Sequence, residues 1–258
     1  EEKDIDTKLL KLPENHSIHI CNLSYSYSGA ARDYALKNIN IDIPNHKVTA
    51  IVGESGCGKT TLLKLIQGFY LPSEGSIKIG DVNLNLINPH LWRKSTGSVM
   101  QESFIFSDTI ANNIALSTDN IDIPRMLHAA QIANIGNFIS SLPLGYNTRI
   151  GMEGNGISAG QRQRILIARA VYKSPEFMFF DEATNSLDAT NERVIMENLR
   201  QSYKGKTVII SAHRLSTIKD ADQIIVLHHG EVMEQGTHSQ LLEAHGYYFK
   251  LVENQMST

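Results

Sequence analysis

The chain has 258 residues, 41% of them apolar and 20% charged, with a net charge of −3. That much apolar side chain supports a sizeable core, and the acidic balance argues against a surface that coats nucleic-acid phosphates. Two cysteines, Cys21 and Cys57, are too few for a disulfide framework and fit a reducing compartment.

The opening EEKDIDTKLLKLPEN, residues 1–15, is acidic and mixed, without the basic-then-apolar start of a signal peptide. No run reaches the ~18 apolar residues of a membrane span. With no initiator Met, the start reads as a linker in a piece of a longer protein, followed by one domain over 16–258. SIHICNLSYSY, from Ser17, and NINIDI, from Asn38, alternate as half-buried strands do. VTAIVG, from Val48, is a continuous β-branched run, hence a buried strand, and it leads through a glycine loop into the helical stretch KTTLLKLIQ. GSIKIGDVNL predicts a hairpin turning at Gly80-Asp81. From about 102 to 173 the character changes: IANNIA, PRMLHAAQIANIGNFI and GQRQRILIARAVY all carry helical spacing. FMFFDE, from Phe177, and TVIISAH, from Thr207, are buried strands with a helix between them over about 190–203. QIIVLHHGEVMEQG predicts a second hairpin, turning at His229-Gly230, and HSQLLEAHGYYFKLVENQ a helix broken near Gly246. Apolar strands alternating with helices predict an α/β fold with a parallel core, to which an antiparallel β edge and an inserted α-helical part are added.

Two segments carry chemistry. GESGCGKTT (Gly53, Glu54, Ser55, Gly56, Cys57, Gly58, Lys59, Thr60 and Thr61) fits G-x-x-x-x-G-K-[ST]. Glycines let the backbone curl until successive N–H groups converge on an anion. Lys59 is a mobile point charge for the β- and γ-phosphates, the Thr60 hydroxyl is a hard ligand for Mg²⁺, and the following helix start adds its dipole. Cys57 reads as a small apolar filler of a variable position rather than a reactive thiol. In FMFFDE, Asp181 and Glu182 stand at the C-terminal end of a buried strand, the edge at which parallel α/β sheets bind ligands. Asp181 would hold the Mg²⁺ shell and Glu182 would polarise the attacking water.

These two motifs define nucleoside-triphosphate hydrolases of the phosphate-loop type in general. GNGISAGQRQRILIARA, from Gly154, narrows the reading, because ISAGQ resembles the LSGGQ signature of ABC transporter ATPases. The order of motifs resembles that family as well: the glycine loop, Gln101 in SVMQES, the signature at Ile157, DEATNSLD from Asp181, and SAHR with His213. The resemblance covers roughly 17–245 and implies a RecA-like parallel core, ATP and Mg²⁺ as cofactors, and ATP hydrolysis. It implies that Tyr27 stacks on adenine, with Tyr25 as second candidate. It implies that Gln101 touches Mg²⁺ and the water, that His213 contacts the γ-phosphate, and that Asp188 lies in the loop crossing to a second subunit. Ser158, Ala159, Gly160 and Gln161 match the signature that contacts the ATP of the partner. One chain then holds two half-sites, and a head-to-tail homodimer closes both. Ala159 departs from the pattern's first glycine; at a helix start its φ is negative, so the extra Cβ is expected to be tolerated.

SDTIANNI, LIQGFYLPSEG and the linker resemble the exporter type, at the cytoplasmic face of a membrane, the bacterial inner membrane being the natural setting. GNGISAGQRQR is similar to bacterial peptide or bacteriocin exporters with a fused peptidase. A lipid or drug exporter, and a soluble ABC ATPase acting on nucleic acid, are the alternatives; the latter usually splits its domain with a coiled coil, which is absent from this sequence. The transmembrane domain of the same transporter is the expected partner, cargo is not expected to bind this domain, and no nucleic acid is. Trp92, Phe104 and Phe106 read together either as core residues, the default, or as an exposed apolar patch; QESFIFSDTIANNI, from Gln101, resembles the segment that cups a transmembrane-domain helix, which favours the exposed patch. QRQR, residues 161–164, reads as a solvated helix face, and His228-His229 as a hairpin turn rather than a metal site.

Overall fold

The computed structural model describes residues 8–28, 33–151, 156–212 and 214–256. His213, Gly154 and the first seven residues of the expected linker lie outside the described residues. The chain divides into two compact units, Glu1–Thr96 with Glu176–Asp181 and Gly205–Thr258, and Gly97–Pro175 with Glu182–Lys204.

The first unit opens with β1 (Ile18–Tyr25) and β2 (Leu36–Ile43), antiparallel to each other. Their alternation changes phase part-way, and bulges explain it. Asn22 and Asn38 take φ of 47° and 46°, the left-handed region that asparagine tolerates better than most residues. The register accordingly slips between Ile20 and Leu23, so Ile18 and Ile20, then Leu23 and Tyr25, all reach the buried side. Gly75 is required here, since any Cβ on it would strike the Cys21 and Asn22 carbonyls. β3 (Val48–Val52) and α1 (Lys59–Ile66) follow, then the hairpin of β4 (Glu74–Ile79) and β5 (Val82–Asn83). The antiparallel sheet has the order β2-β1-β4-β5.

α2 (Pro89–Ser95) was not evident in the hydrophobic pattern, although its local signals are strong: Asn88 caps it through the His90 and Leu91 N–H groups, and Pro89 stands at its first turn. It carries Trp92, 3% exposed, onto Phe177 at a ring separation of 4.8 Å. β6 (Thr96–Val99) closes this stretch.

In the second unit come β7 (Asp108–Thr109), α3 (Ile110–Ala115), α4 (Ile123–Ile132), α5 (Gly136–Ser141), β8 (Arg149–Ile150) and α6 (Ala159–Tyr172). PRMLHAAQIANIGNFI is two helices rather than one, because Asn134 turns left-handed at φ 50° and ends α4. α3 and α4 pack on α6, and α7 (Ala189–Ser202) packs on α4. Their buried faces are aliphatic: Ile110, Ile114, Met126, Ile132, Ile165 and Ile195.

The remaining elements belong to the first unit: β9 (Phe177–Asp181), β10 (Thr207–Ser211), α8 (Leu215–Ile218), the hairpin of β11 (Gln223–His228) and β12 (Glu231–Gly236), then α9 (His238–Glu243) and α10 (Tyr247–Met256). The central strands lie in the order β12-β11-β3-β10-β9, parallel from β11 to β9. Burial of nearly every residue of β3, β9 and β10, on both faces of the parallel sheet, accounts for their largely apolar make-up. His229 and Gly230 take φ of 47° and 79°, the pair of positive values that a tight hairpin turn requires. Among the described residues no helix is long and apolar enough to cross a membrane.

Candidate active site

In the first unit, β3 delivers the chain into the glycine loop. Gly53, Gly56 and Gly58 all have positive φ. Gly58 is fixed by space as well, since a Cβ there would come within 2.6 Å of Leu36 Cδ2. Gly58 is also the N-cap of α1, and it offers no side chain to the first N–H groups of that helix. A helix start of this kind leaves donors and a partial positive charge for an anion. Lys59, 5% exposed, is folded back over the loop and donates from Nζ to the carbonyls of Gly53 at 2.9 Å and Glu54 at 2.8 Å. Its charge is therefore already held where a phosphate would lie against the loop. Cys57 is 4% exposed, and burial pushes its thiol up against the opposing pull of Lys59; it fills space in the loop.

The Thr60 hydroxyl donates to Asp181 Oδ2 at 2.7 Å. Asp181 is 1% exposed, and its Oδ1 is sealed from solvent without a hydrogen-bond partner among the described residues. A buried carboxylate with one oxygen unsatisfied beside a threonine hydroxyl fits Mg²⁺, a hard cation that takes one or two protein oxygens and completes its shell with water and substrate phosphate. Among the described residues no cluster of three His, Cys, Asp or Glu could hold a metal ion without such a substrate.

The tyrosines sort themselves by exposure. Tyr25 is 8% exposed and stacks on Tyr70 at 5.4 Å, whereas Tyr27 is 60% exposed and meets both rings edge-on. The Tyr27 hydroxyl is hydrogen-bonded to Thr61 Oγ1 at 2.9 Å, which ties the exposed ring to the first turn of α1.

In the second unit Ser158 caps α6. Its Oγ accepts the Gln161 N–H at 3.2 Å, and Gln161 Oε1 accepts the Ser158 N–H at 2.9 Å, a reciprocal capping box. Ala159 is the first helical residue and is not among the positive-φ positions, so its Cβ meets no backbone conflict. At Gly160 an added Cβ would stand 3.2 Å from the Ser186 carbonyl, so the loop before Asp188 lies close against the signature. Asp188 caps α7, accepting from Thr190 and Asn191 N–H and from Asn191 Nδ2, and the Asn191 N–H is the main cause that holds its carboxyl below the usual range. Asn134 donates to Asn191 Oδ1 at 2.9 Å, and its carbonyl accepts Arg164 Nη1 at 2.7 Å. Arg164 is therefore not part of a solvated face: burial lowers its affinity for the proton, with the Asp188 charge acting the other way.

Glu182 has φ of 51°, a left-handed conformation unusual for a glutamate. Its Oε2 accepts Asn185 Nδ2 at 2.7 Å. Gln101 stands exposed in a turn. Phe104 and Phe106 are 62% and 45% exposed, their rings 4.9 Å apart. His229 turns the hairpin with Gly230, and its ring lies 4.1 Å from that of His228, the last residue of β11. Asn185 and Asn134, in turns, and Asn191, in the first turn of α7, are given no role by any motif in the sequence.

A buried strand, an uncapped helix start behind a glycine loop, and a strand-end aspartate bonded to the helix threonine define a phosphate-loop nucleotide-binding domain of the RecA-like α/β kind. The chain belongs to the ABC transporter family, as an ATP-binding ATPase domain: the model of that family, described as ABC transporter, matches residues 36–185. It is 46% identical over 234 residues to the alpha-hemolysin translocation ATP-binding protein HlyB of Proteus vulgaris, covering 90% of this chain and 33% of that protein. It is 44% identical over 250 residues to the leukotoxin translocation ATP-binding protein LktB of Mannheimia haemolytica, covering 96% and 35%. The structure of a bacterial Atm1-family ABC exporter with ATP bound superposes with a TM-score of 0.92 at 36% identity, over 97% of this chain and 44% of that one. The chain thus spans about a third of the length of the curated relatives it matches.

Proposed function

We propose that this domain powers the export of a polypeptide cargo across a bacterial membrane by binding and hydrolysing ATP. The Thr60–Asp181 bond beneath the uncapped start of α1 carries the ATP reading, and the two translocation proteins among its relatives favour polypeptide over lipid or drug cargo. Residues 1–15 join the domain to a transmembrane part of the same protein, and 102–173 form its inserted helical subdomain. The domain works at the cytoplasmic face, where the exposed Phe104–Phe106 pair receives a helix of the transmembrane part.

The residue roles follow from the chemistry. The loop from Gly53 to Thr61 wraps the phosphates, and Lys59 transfers its hydrogen bonds from the Gly53 and Glu54 carbonyls to phosphate oxygens. Thr60, Asp181 and Gln101 hold Mg²⁺, which when bound neutralises charge on the phosphates. Tyr27 offers its exposed face to adenine, a contact that tolerates any base. Glu182 orients the attacking water, and His213 contacts the γ-phosphate. Ser158, Ala159, Gly160 and Gln161, with Asp188, face the ATP of a second copy, so two chains arranged head to tail close two sites.

The test is Mg²⁺-dependent ATP hydrolysis measured against protein concentration, for this chain and for Glu182→Gln. Activity should rise faster than linearly, the variant should lose nearly all of it, and with ATP the variant should elute as a dimer. Activity linear in concentration and indifferent to the substitution would overturn both the paired site and the role of Glu182.

A further inference from the structure

Ser211 is the last residue of β10, TVIIS, follows three apolar residues and is 1% exposed. It is the register partner of Asp181 on the adjacent parallel strand. Paired residues of neighbouring strands project to the same face of a sheet. That face is the one α1 covers, as two contacts at opposite ends of β9 indicate: Thr60 reaches Asp181 at one end, and at the other Phe177 packs on Trp92, which lies beside Gly68 just past α1. Ser211 Oγ and Asp181 Oδ1 are both sealed from solvent, and neither has a hydrogen-bond partner among the described residues. One is a hydroxyl with a proton to give and the other a carboxylate oxygen with none to receive, so each is what the other needs. A buried hydroxyl left unpaired is unfavourable, and Val or Ile would fill such a strand position without that penalty.

We propose that Ser211 is a positioning residue for the metal site: its hydroxyl donates to Asp181 Oδ1, directly by rotation of its side chain or across one water, and so fixes the carboxylate that serves Mg²⁺. Asp181 is then held at both oxygens, by Thr60 on one and Ser211 on the other, and keeps its orientation when the metal arrives. Outer partners of this kind typically change metal affinity by ~10-fold or more when removed. The inference rests on the reading of Asp181 as a metal-site residue given above.

The test compares Ser211→Thr with Ser211→Val in the 258-residue chain. The two side chains have the same shape and differ by one hydroxyl, so packing strain cancels between them. Binding of a fluorescent ATP analogue is followed as MgCl₂ is raised, and again in EDTA. The expected result is a midpoint for MgCl₂ ~10-fold higher in the Val variant than in the Thr variant, with the Thr variant close to the parent and all three proteins equal in EDTA. Equal MgCl₂ midpoints for Val and Thr would overturn the proposal, as would a difference between them that persists in EDTA. Asp181→Asn is measured alongside. If it leaves the MgCl₂ dependence unchanged, the metal reading of Asp181 fails and the inference with it. If it shifts that dependence while Val and Thr agree, only the role of Ser211 fails.

Discussion

At the scale of single residues, Glu182 carries the most information. A glutamate at φ 51° holds a conformation that disfavours a Cβ by roughly 1–2 kcal/mol, and such strain persists where surrounding structure over-determines it. Here the over-determination is visible: Asn185 returns to Glu182 twice, by its N–H to the carbonyl at 3.1 Å and by its side chain to the carboxylate at 2.7 Å. Glu182→Gly should therefore abolish ATP hydrolysis while leaving the melting temperature unchanged or higher, since glycine relieves the φ penalty; a large fall in melting temperature would show that the conformation is not strained. Asn185→Ala should lower kcat about 5-fold, the equivalent of one hydrogen bond worth ~1 kcal/mol, with KM for ATP unchanged. Asn185→Asp, the same shape with a like charge against Glu182, should lose more. Steady-state kinetics on the two variants decides the matter, and a change confined to KM would contradict it.

At the scale of elements, α6 joins two stretches of the second unit. Its first turn is the signature and its last turns anchor the loop bearing Phe104 and Phe106. Arg169 does the anchoring: it donates to the Asn113 carbonyl and side-chain oxygen and to the Phe104 carbonyl, and lies 5.2 Å from the Phe106 ring. Burial lowers its value to about 10, so it remains charged at neutral pH with carbonyl acceptors around it. Arg169→Met should destabilise the fold by ~1–3 kcal/mol, the penalty for leaving buried acceptors at Asn113 undersatisfied, readable in denaturant melts. At the other end, Ser158→Asp separates structure from function. Aspartate caps helices as well as serine does, so stability should hold, whereas a negative charge at the expected anion contact should abolish ATP-dependent dimerisation and hydrolysis. Retained activity in that variant would remove Ser158 from the nucleotide contact.

At the scale of the whole molecule, buried phenols set how the fold meets alkali. Burial pushes Tyr248 up to about 12 and Tyr203 up as well. A group whose folded value is raised keeps its full stabilising contribution below its unfolded value, near 10, and loses it as pH rises through the folded value. Stability should thus fall between pH ~10 and ~12, and Tyr248→Phe should flatten that fall. Denaturant midpoints measured across this range check it, and an unchanged slope would exclude Tyr248 as a source. The hydroxyl of Tyr248 is also bonded to His238 Nδ1 at 2.7 Å, so the variant should be somewhat weaker at neutral pH even as its alkaline slope relaxes.

What the sequence determined by itself was set by near neighbours, although α2, whose cap at Asn88 is equally local, shows no hydrophobic period by which to find it. The strand, glycine loop and helix from Val48 to Gln67, the hairpins turning at Gly80-Asp81 and His229-Gly230, and the helices over GQRQRILIARAVY and about 190–203 rest on backbone preferences and periodicity within a few residues, and all are present. Tertiary structure decided whatever depends on register between distant segments. The Thr60–Asp181 bond joins residues 121 apart, and the pairing of Ser211 with Asp181 follows from strand order, which no periodicity encodes. The resemblance already favours Tyr27 over Tyr25; what tertiary structure added is the bulge that turns Tyr25 to the buried side. The break at Asn134 was decided in the same way, because a left-handed asparagine there lets its side chain and carbonyl meet Asn191 and Arg164. Local preferences are fixed by the covalent neighbourhood; which polar groups end up facing one another in a buried site is fixed only when the sheet and helices have closed around them.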